Sequence, residues 1–330
     1  MFNTIQVLKM GILGAVFSFT FVLGFGHTLY AAGKQPEAVL KVALLPILDS
    51  LPFYVAETRG FFEQADLKAE ALIVNSALER DQLMQTGAID GMLTEITNTA
   101  NFNRSGVKVQ ILRDARRAYT GYPLFRILAA PGSNLKTAQD LKGVPVGIAK
   151  NTIIEYVTDR LLRAEGLKPG EINKQSVPAI PERFQLLLQG RIKAATLPDP
   201  LAKSAIEAGA VMVVDDSIHP SYSVSVLSFS IKSIYEKPES IRNFLAAWDR
   251  AAAAINADPQ NFQELLLEKV RMPKNIRDTF AVPPYPRNAV PDKRQWDDVM
   301  QWMVEKGLLE SDLSYNDSVT AEFLSAPEEP

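Results

Sequence analysis

The stretch Glu79-Arg80-Asp81-Gln82-Leu83-Met84-Gln85-Thr86-Gly87-Ala88-Ile89 returns later in the chain as Glu182-Arg183-Phe184-Gln185-Leu186-Leu187-Leu188-Gln189-Gly190-Arg191-Ile192. Glu, Arg, Gln, Leu, Gly and Ile coincide at a constant offset of 103. Each copy runs into a short apolar strand, Gly91-Met92-Leu93 in the first and Ala194-Ala195-Thr196 in the second. Upstream of each lies another strand and helix: Leu40 to Leu45 followed by Ser50 to Gly60, and Val144 to Ala149 followed by Thr152 to Gly166. Each half therefore reads strand, helix, strand, helix, strand. That order predicts parallel α/β sheets, with the ligand crevice at the carboxyl ends of the strands. Because the elements flanking the repeat match as well as its residues, duplication explains it better than chance.

Helix boundaries agree with this layout. Thr152-Ile153-Ile154-Glu155 and Ser76-Ala77-Leu78-Glu79 both fit a capping box, in which a hydroxyl and a returning Glu satisfy helix-start amides. Ile153, Val157 and Leu161 recur at helical spacing, leaving Asp159, Arg160 and Arg163 to face water. Beyond Ser233 the chain is mostly helical, with Ile241, Phe244, Leu245 and Trp248 on one stripe and Trp296, Val299, Met300 and Met303 on another. The Pro-rich segment Val282-Pro283-Pro284-Tyr285-Pro286 reads as a surface connection.

Composition narrows the function. The 330 residues suffice for about two domains, and 47% hydrophobic with 22% charged residues is an ordinary globular balance. A net charge of −3 without a basic stripe argues against nucleic acid as a partner. With no cysteine, disulfides, thiolate metal sites and cysteine nucleophiles are excluded together. Lys9 precedes an uncharged stretch, Met10 to Gly33, that reads as a secretory signal peptide over residues 1–32, cleaved between Ala31 and Gly33. An uncleaved membrane anchor is the other reading of that stretch. The missing cysteine rules out a lipoprotein anchor, so the expected location is a periplasm. His27 leaves with the signal, and His219 alone cannot build a multi-histidine metal site. No nucleophile elbow, phosphate loop or metalloprotease motif is present, so neither a catalytic residue nor a metal or cofactor is expected.

Three further stretches carry a family resemblance: Leu44-Leu45-Pro46-Ile47-Leu48-Asp49-Ser50-Leu51-Pro52-Phe53-Tyr54-Val55-Ala56-Glu57 with Arg59-Gly60-Phe61-Phe62, then Gln85 to Gly91, then Asp140-Leu141-Lys142-Gly143-Val144-Pro145-Val146-Gly147-Ile148. Together with the ending Gln301 to Leu309, they resemble the periplasmic solute-binding proteins of ABC importers, in the branch that takes up sulfonates, nitrate, bicarbonate and thiamine precursors. The resemblance implies a two-lobed α/β fold of the type II binding-protein class, two doubly wound sheets joined by two crossover strands. Lobe one would hold residues 34–125 plus 228–330 and lobe two residues 126–227. It also implies a monomer that closes on one small molecule and docks on an ABC permease in the inner membrane, with no catalysis on this chain.

Carried over position by position, the resemblance places the ligand-binding candidates on loops after the strands: Asp49, Ser50 and Leu51, then Asn75 and Ser76, then Thr94 and Glu95, with Asn151, Thr152 and Asp199 in the second half. For Ser50, Ser76 and Thr152 helix capping is an equal explanation. Tyr122 lies at the first crossing and suits stacking on a planar ligand or packing of the hinge. The basic run Arg113, Arg116 and Arg117 reads as a solvated loop or an anion clamp. Carboxylates facing the cleft would favour a cation or a donor-rich heterocycle such as an aminopyrimidine; dominant helix starts at Ser76 and Thr152 would favour an anion such as a sulfonate. An enzyme or a sensor input domain on the same fold completes the alternatives.

Overall fold

The computed structural model describes residues 39–324; the signal-peptide reading and His27 lie outside them. Among the described residues, ten strands form two five-stranded sheets. In the first, β1 (Leu40–Leu44), β2 (Ala69–Ile73) and β3 (Gly91–Glu95) run parallel, and β4 (Val109–Arg117) forms an edge. The second contains β5 (Phe125–Ala129), β6 (Val146–Ile148), β7 (Lys174–Ser176), β8 (Ala194–Pro198) and β9 (Val211–Asp215), with β6, β7 and β8 parallel. The last strand, β10 (Val224–Ser230), returns to the first sheet between β3 and β4.

The strand orders are β2-β1-β3-β10-β4 and β7-β6-β8-β5-β9, so both sheets have one design. Three parallel strands come from the local strand-helix repeat, and the fourth position is filled by an antiparallel strand, β10 or β5. Each is the first strand laid down after the chain has passed from one sheet to the other. The repeat is visible at atomic level. Arg80 Nη1 donates to the Leu93 carbonyl (3.1 Å) and Arg183 Nε to the Thr196 carbonyl (2.9 Å), donor and acceptor both displaced by the offset of the sequence repeat. Gly87 and Gly190 end the two helices with φ of 71° and 67°, a left-handed turn that only glycine makes without strain.

The halves also share a core. One apolar cluster joins Ile111 of β4 and Ile96 beside it to Ile127 and Val146 of the second sheet and Val157 of the helix that follows β6, and includes Trp296 and Trp302. Here the structure corrects the expectation for the helix Ile153–Ala164. Asp159 and Arg160 are buried, because the helix Lys293–Glu305 covers the face assigned to water. Trp302 Nε1 donates to Asp159 (2.9 Å), Arg160 Nε to Asp298 (2.7 Å) and Lys306 Nζ to Glu155 (2.6 Å). Periodicity marks an apolar face, but it does not show that a second helix brings complementary polar groups to the other one.

Two more expectations change. The basic run is no loop: Arg113 and Arg116 are buried on β4, where Arg113 Nη2 donates to Asp249 (2.6 Å) and to the Pro286 carbonyl (3.0 Å). The Pro-rich segment is no surface connection either. Tyr285 is 1% exposed, its hydroxyl donates to the Leu48 carbonyl (2.6 Å), and Asn256 bonds its backbone on both sides. Prolines suit such a buried segment because they leave fewer amides to satisfy.

Candidate functional site

A cleft of about 300 Å³ opens between the sheets, beside the turn from β4 to β5 and the carboxyl end of β8. Arg116 of β4 lines one wall, Arg126 of β5, Asp199 and Lys203 the other, and Tyr122 and Phe280 close it with aromatic surface. Gly121 and Tyr122 belong to the turn joining β4 to β5, where Tyr119 and Tyr122 bond each other's backbone (3.1 and 2.8 Å).

The wall carboxylates are already neutralised. Asp199 holds Arg126 by two bonds (Nε 3.1 Å, Nη2 2.9 Å) and also accepts from the Lys203 amide (3.1 Å). Burial pulls the Arg126 guanidinium down, but the bonds and charge of Asp199, with Asp215 and Asp216, outweigh it and hold the pKa above its ordinary value. Asp49, in a turn before the helix Leu51–Thr58, accepts from Arg116 Nη1 (3.2 Å), whose Nη2 donates to the Pro123 carbonyl (3.0 Å). Glu95 differs. Its nearest cation is Arg80 at 3.7 Å, and its side chain remains 30% exposed. Burial raises its pKa against the pull of Arg80, with Asp81 and Asp49 adding to the rise.

A hub beneath the cleft orders these groups. Asp216 is fully buried and accepts from the Leu124 and Phe125 amides (2.9 and 3.0 Å), where one connection between the sheets enters β5, and from the Ser223 hydroxyl of the other connection. The Asp199 amide donates to the Leu124 carbonyl (2.9 Å). Burial pushes the Asp216 carboxyl up to about 7 against those hydrogen bonds.

The remaining candidates fall into three groups. Ser50 and Leu51 are fully buried; the Ser50 hydroxyl donates to the Ile47 carbonyl (2.7 Å) and does not cap its helix. Thr94 is buried and accepts from Asn98 (2.9 Å). Asn75 and Ser76 stand exposed at the start of the helix Ala77–Gln85, and Asn151 and Thr152 start the helix Ile153–Ala164. Both starts are capped by the chain itself. Ser76 accepts from the Glu79 amide (3.2 Å) and Thr152 from that of Ile154 (3.1 Å), while Glu79 and Glu155 take the amides of Asn75 (2.8 Å) and Asn151 (2.7 Å). Of the candidates, Tyr122 and Asp199 line the cleft directly, and Asp49 backs it through Arg116. Sequence reading missed Arg126, Lys203 and the wall from Thr279 to Pro283. A lone Arg in a strand carries no local signal, although Asp199 opposite it hints that a counter-ion exists.

Residues 48–262, more than half of the chain, match the family described as NMT1/THI5 like. The chain is 24% identical over 308 residues to a Haemophilus influenzae protein with a thiamine-biosynthesis name, covering 88% of this chain and 93% of that one. Among solved structures, the periplasmic aliphatic sulphonate binding protein SsuA from Escherichia coli superposes with a TM-score of 0.72 at 17% identity, covering 90% of this chain and 96% of that one. The desulfurization enzyme DSZB superposes with a TM-score of 0.61 at 14% identity, over 86% of this chain and 97% of that one.

Proposed function

Since the chain belongs to the NMT1/THI5-like family and has the fold of the periplasmic binding proteins, we propose that it is the periplasmic substrate-binding component of an ABC importer, taking a small neutral nitrogen heterocycle of the aminopyrimidine type. Each sheet with its helices would form one lobe, closing on the ligand and presenting the closed form to a permease. The observation that carries the choice of ligand is charge balance. Asp49 and Asp199 are matched by Arg116 and Arg126, so the cleft calls for neither a cation nor an anion. The Arg116 and Arg126–Asp199 groups offer donors and acceptors to a heterocycle, and Tyr122 and Phe280 offer faces to stack on.

The anion reading needs open helix starts, and those at Ser76 and Thr152 already hold a carboxylate each, Glu79 and Glu155. The enzyme reading has DSZB as a fold neighbour. Without cysteine, and with His219 as its one described histidine, this chain has few of the usual nucleophiles and bases to offer.

Thermal unfolding against aminopyrimidines, flavins, polyamines, sulfonates, nitrate, bicarbonate and carboxylates tests the proposal. A ligand at about 100 times its Kd stabilises by about 2.7 kcal/mol. The expected result is a shift from one heterocycle that weakens in Tyr122→Ala. A shift from anions alone, unchanged in that variant, overturns the choice of ligand.

A further inference from the structure

The helix Leu201–Glu207 belongs with the second sheet, since the Lys203 amide at its start donates to Asp199 and it packs on β8 and β5. The short turn Lys274–Ile276 belongs with the first, because Ile276 sits in the apolar cluster that contains Leu40, Leu44 and Phe53. Ser204 and Asn275 join the two. Ser204 Oγ donates to Asn275 Oδ1 (2.7 Å), and Asn275 Nδ2 donates to the Ser204 carbonyl (3.0 Å). One amide side chain thus uses its donor and its acceptor on a single residue across the seam, which fixes both separation and orientation. The pair lies beside the cleft, whose lining includes Lys203 and Thr279.

We propose that Ser204 and Asn275 form a latch that holds the cleft in its closed form and sets how fast a bound molecule escapes, while touching no ligand. The statement about escape rests on the binding function proposed above; the statement about closure does not. Ser204 is buried, but Asn275 is exposed, so water replaces part of what opening breaks. The latch is therefore weak enough to release. Loss of two neutral hydrogen bonds changes the closed-to-open ratio by roughly tenfold, and apparent affinity falls with the closed fraction.

Small-angle scattering on the full chain tests closure without a ligand. Asn275→Ala is expected to raise the radius of gyration. Asn275→Asp keeps the acceptor for Ser204 Oγ, loses the donor, and should fall between. Because the chain has no cysteine, Ser204→Cys with Asn275→Cys sets the only two thiols across the seam. Mild oxidation should cross-link them and give the compact scattering curve, and reduction should reverse it. An Asn275→Ala curve identical to that of the unaltered chain, with no change on oxidising or reducing the double variant, overturns the latch. If an aminopyrimidine stabilises both chains equally and their scattering is identical, the latch falls and the import reading stands. A more open Asn275→Ala in a chain that no panel member stabilises keeps the latch and removes the import reading.

Discussion

Arg80 and Arg183 occupy the same place in the two copies of the repeat, both are buried, and both donate to the same carbonyl of the following strand. Their charges are handled differently. Arg80 has Asp81 at 2.9 Å and Glu95 at 3.7 Å. At the offset of the repeat, those positions hold Phe184 and Pro198. Among the described residues Arg183 is left with carbonyls only, those of Thr196, Val177 (2.6 Å) and Pro178 (3.3 Å), and its Nη2 has no partner there. Burial alone pulls its pKa down to about 10, which still leaves it charged at neutral pH. What the repeat preserves is thus the backbone bond that ties helix to strand. The carboxylates around it were free to change, and the first sheet keeps one, Glu95, at its strand end.

Removing each arginine should separate the two arrangements most strongly. Arg80→Met removes the cation beside two partly exposed carboxylates and leaves the Leu93 carbonyl without its donor, at about 1–3 kcal/mol. Its cost should grow as pH rises and Glu95, whose raised pKa loses the opposing pull of Arg80, ionises. Arg183→Met leaves carbonyls without donors, at about 1–3 kcal/mol each, and its cost should stay flat over the same range. Urea unfolding of both variants at about pH 5 and pH 8 reads the difference. Equal pH growth in both would erase the distinction.

Each half also buries an acid with a raised pKa: Asp114 on β4, pushed by burial to about 6 against Arg117, and Asp216 beside β9, pushed to about 7. A carboxyl whose folded pKa exceeds its unfolded value costs stability above the folded pKa, and the cost is relieved as pH falls toward the unfolded value. From about pH 7 to pH 5 the stability contributed by Asp216 should rise by on the order of 2 kcal/mol. Asp216→Asn should flatten that slope more than Asp114→Asn, whose window lies lower. A slope that survives Asp216→Asn would assign it elsewhere.

A smaller contrast comes from Gly91, whose counterpart in the second copy is Ala194. A Cβ at Gly91 would lie 2.5 Å from the Phe229 ring, whose side chain is fully buried. At Gly147 on β6 the nearest atom, 2.8 Å away, is the end of the Ile192 side chain. Gly91→Ala should therefore cost about 1–3 kcal/mol, as overpacking does, and Gly147→Ala less, because a chain end moves more easily than a ring. Thermal unfolding of the two variants compares them, and the reverse order would mean that Phe229 yields more readily than Ile192.

Much of the fold was legible in the repeat, because helix period, glycine stops and capping hydroxyls are local signals. The parallel strands β1 to β3 and β6 to β8 follow from it directly. The antiparallel strand in each sheet does not, since β5 and β10 gain their places only by crossing from one sheet to the other. Asp199 in the cleft wall, and Asp49 behind Arg116, are both legible as carboxylates on loops that follow strands. Their partners Arg116 and Arg126 lie 67 and 73 residues away along the chain, and no spacing rule pairs them.

By itself the sequence determined the duplicated α/β scaffold, the exclusion of cysteine chemistry and the family, each of which rests on residue type or short-range order. Tertiary structure decided which charges meet. It turned the expected loop arginines into a buried strand, covered Asp159 and Arg160 with a second helix, drew the Pro-rich segment into the cleft wall and neutralised the carboxylates that had suggested a cationic ligand. The reason is physical: a buried charge is tolerated only where counter-charges or hydrogen-bonding groups meet it, and the fold supplies them.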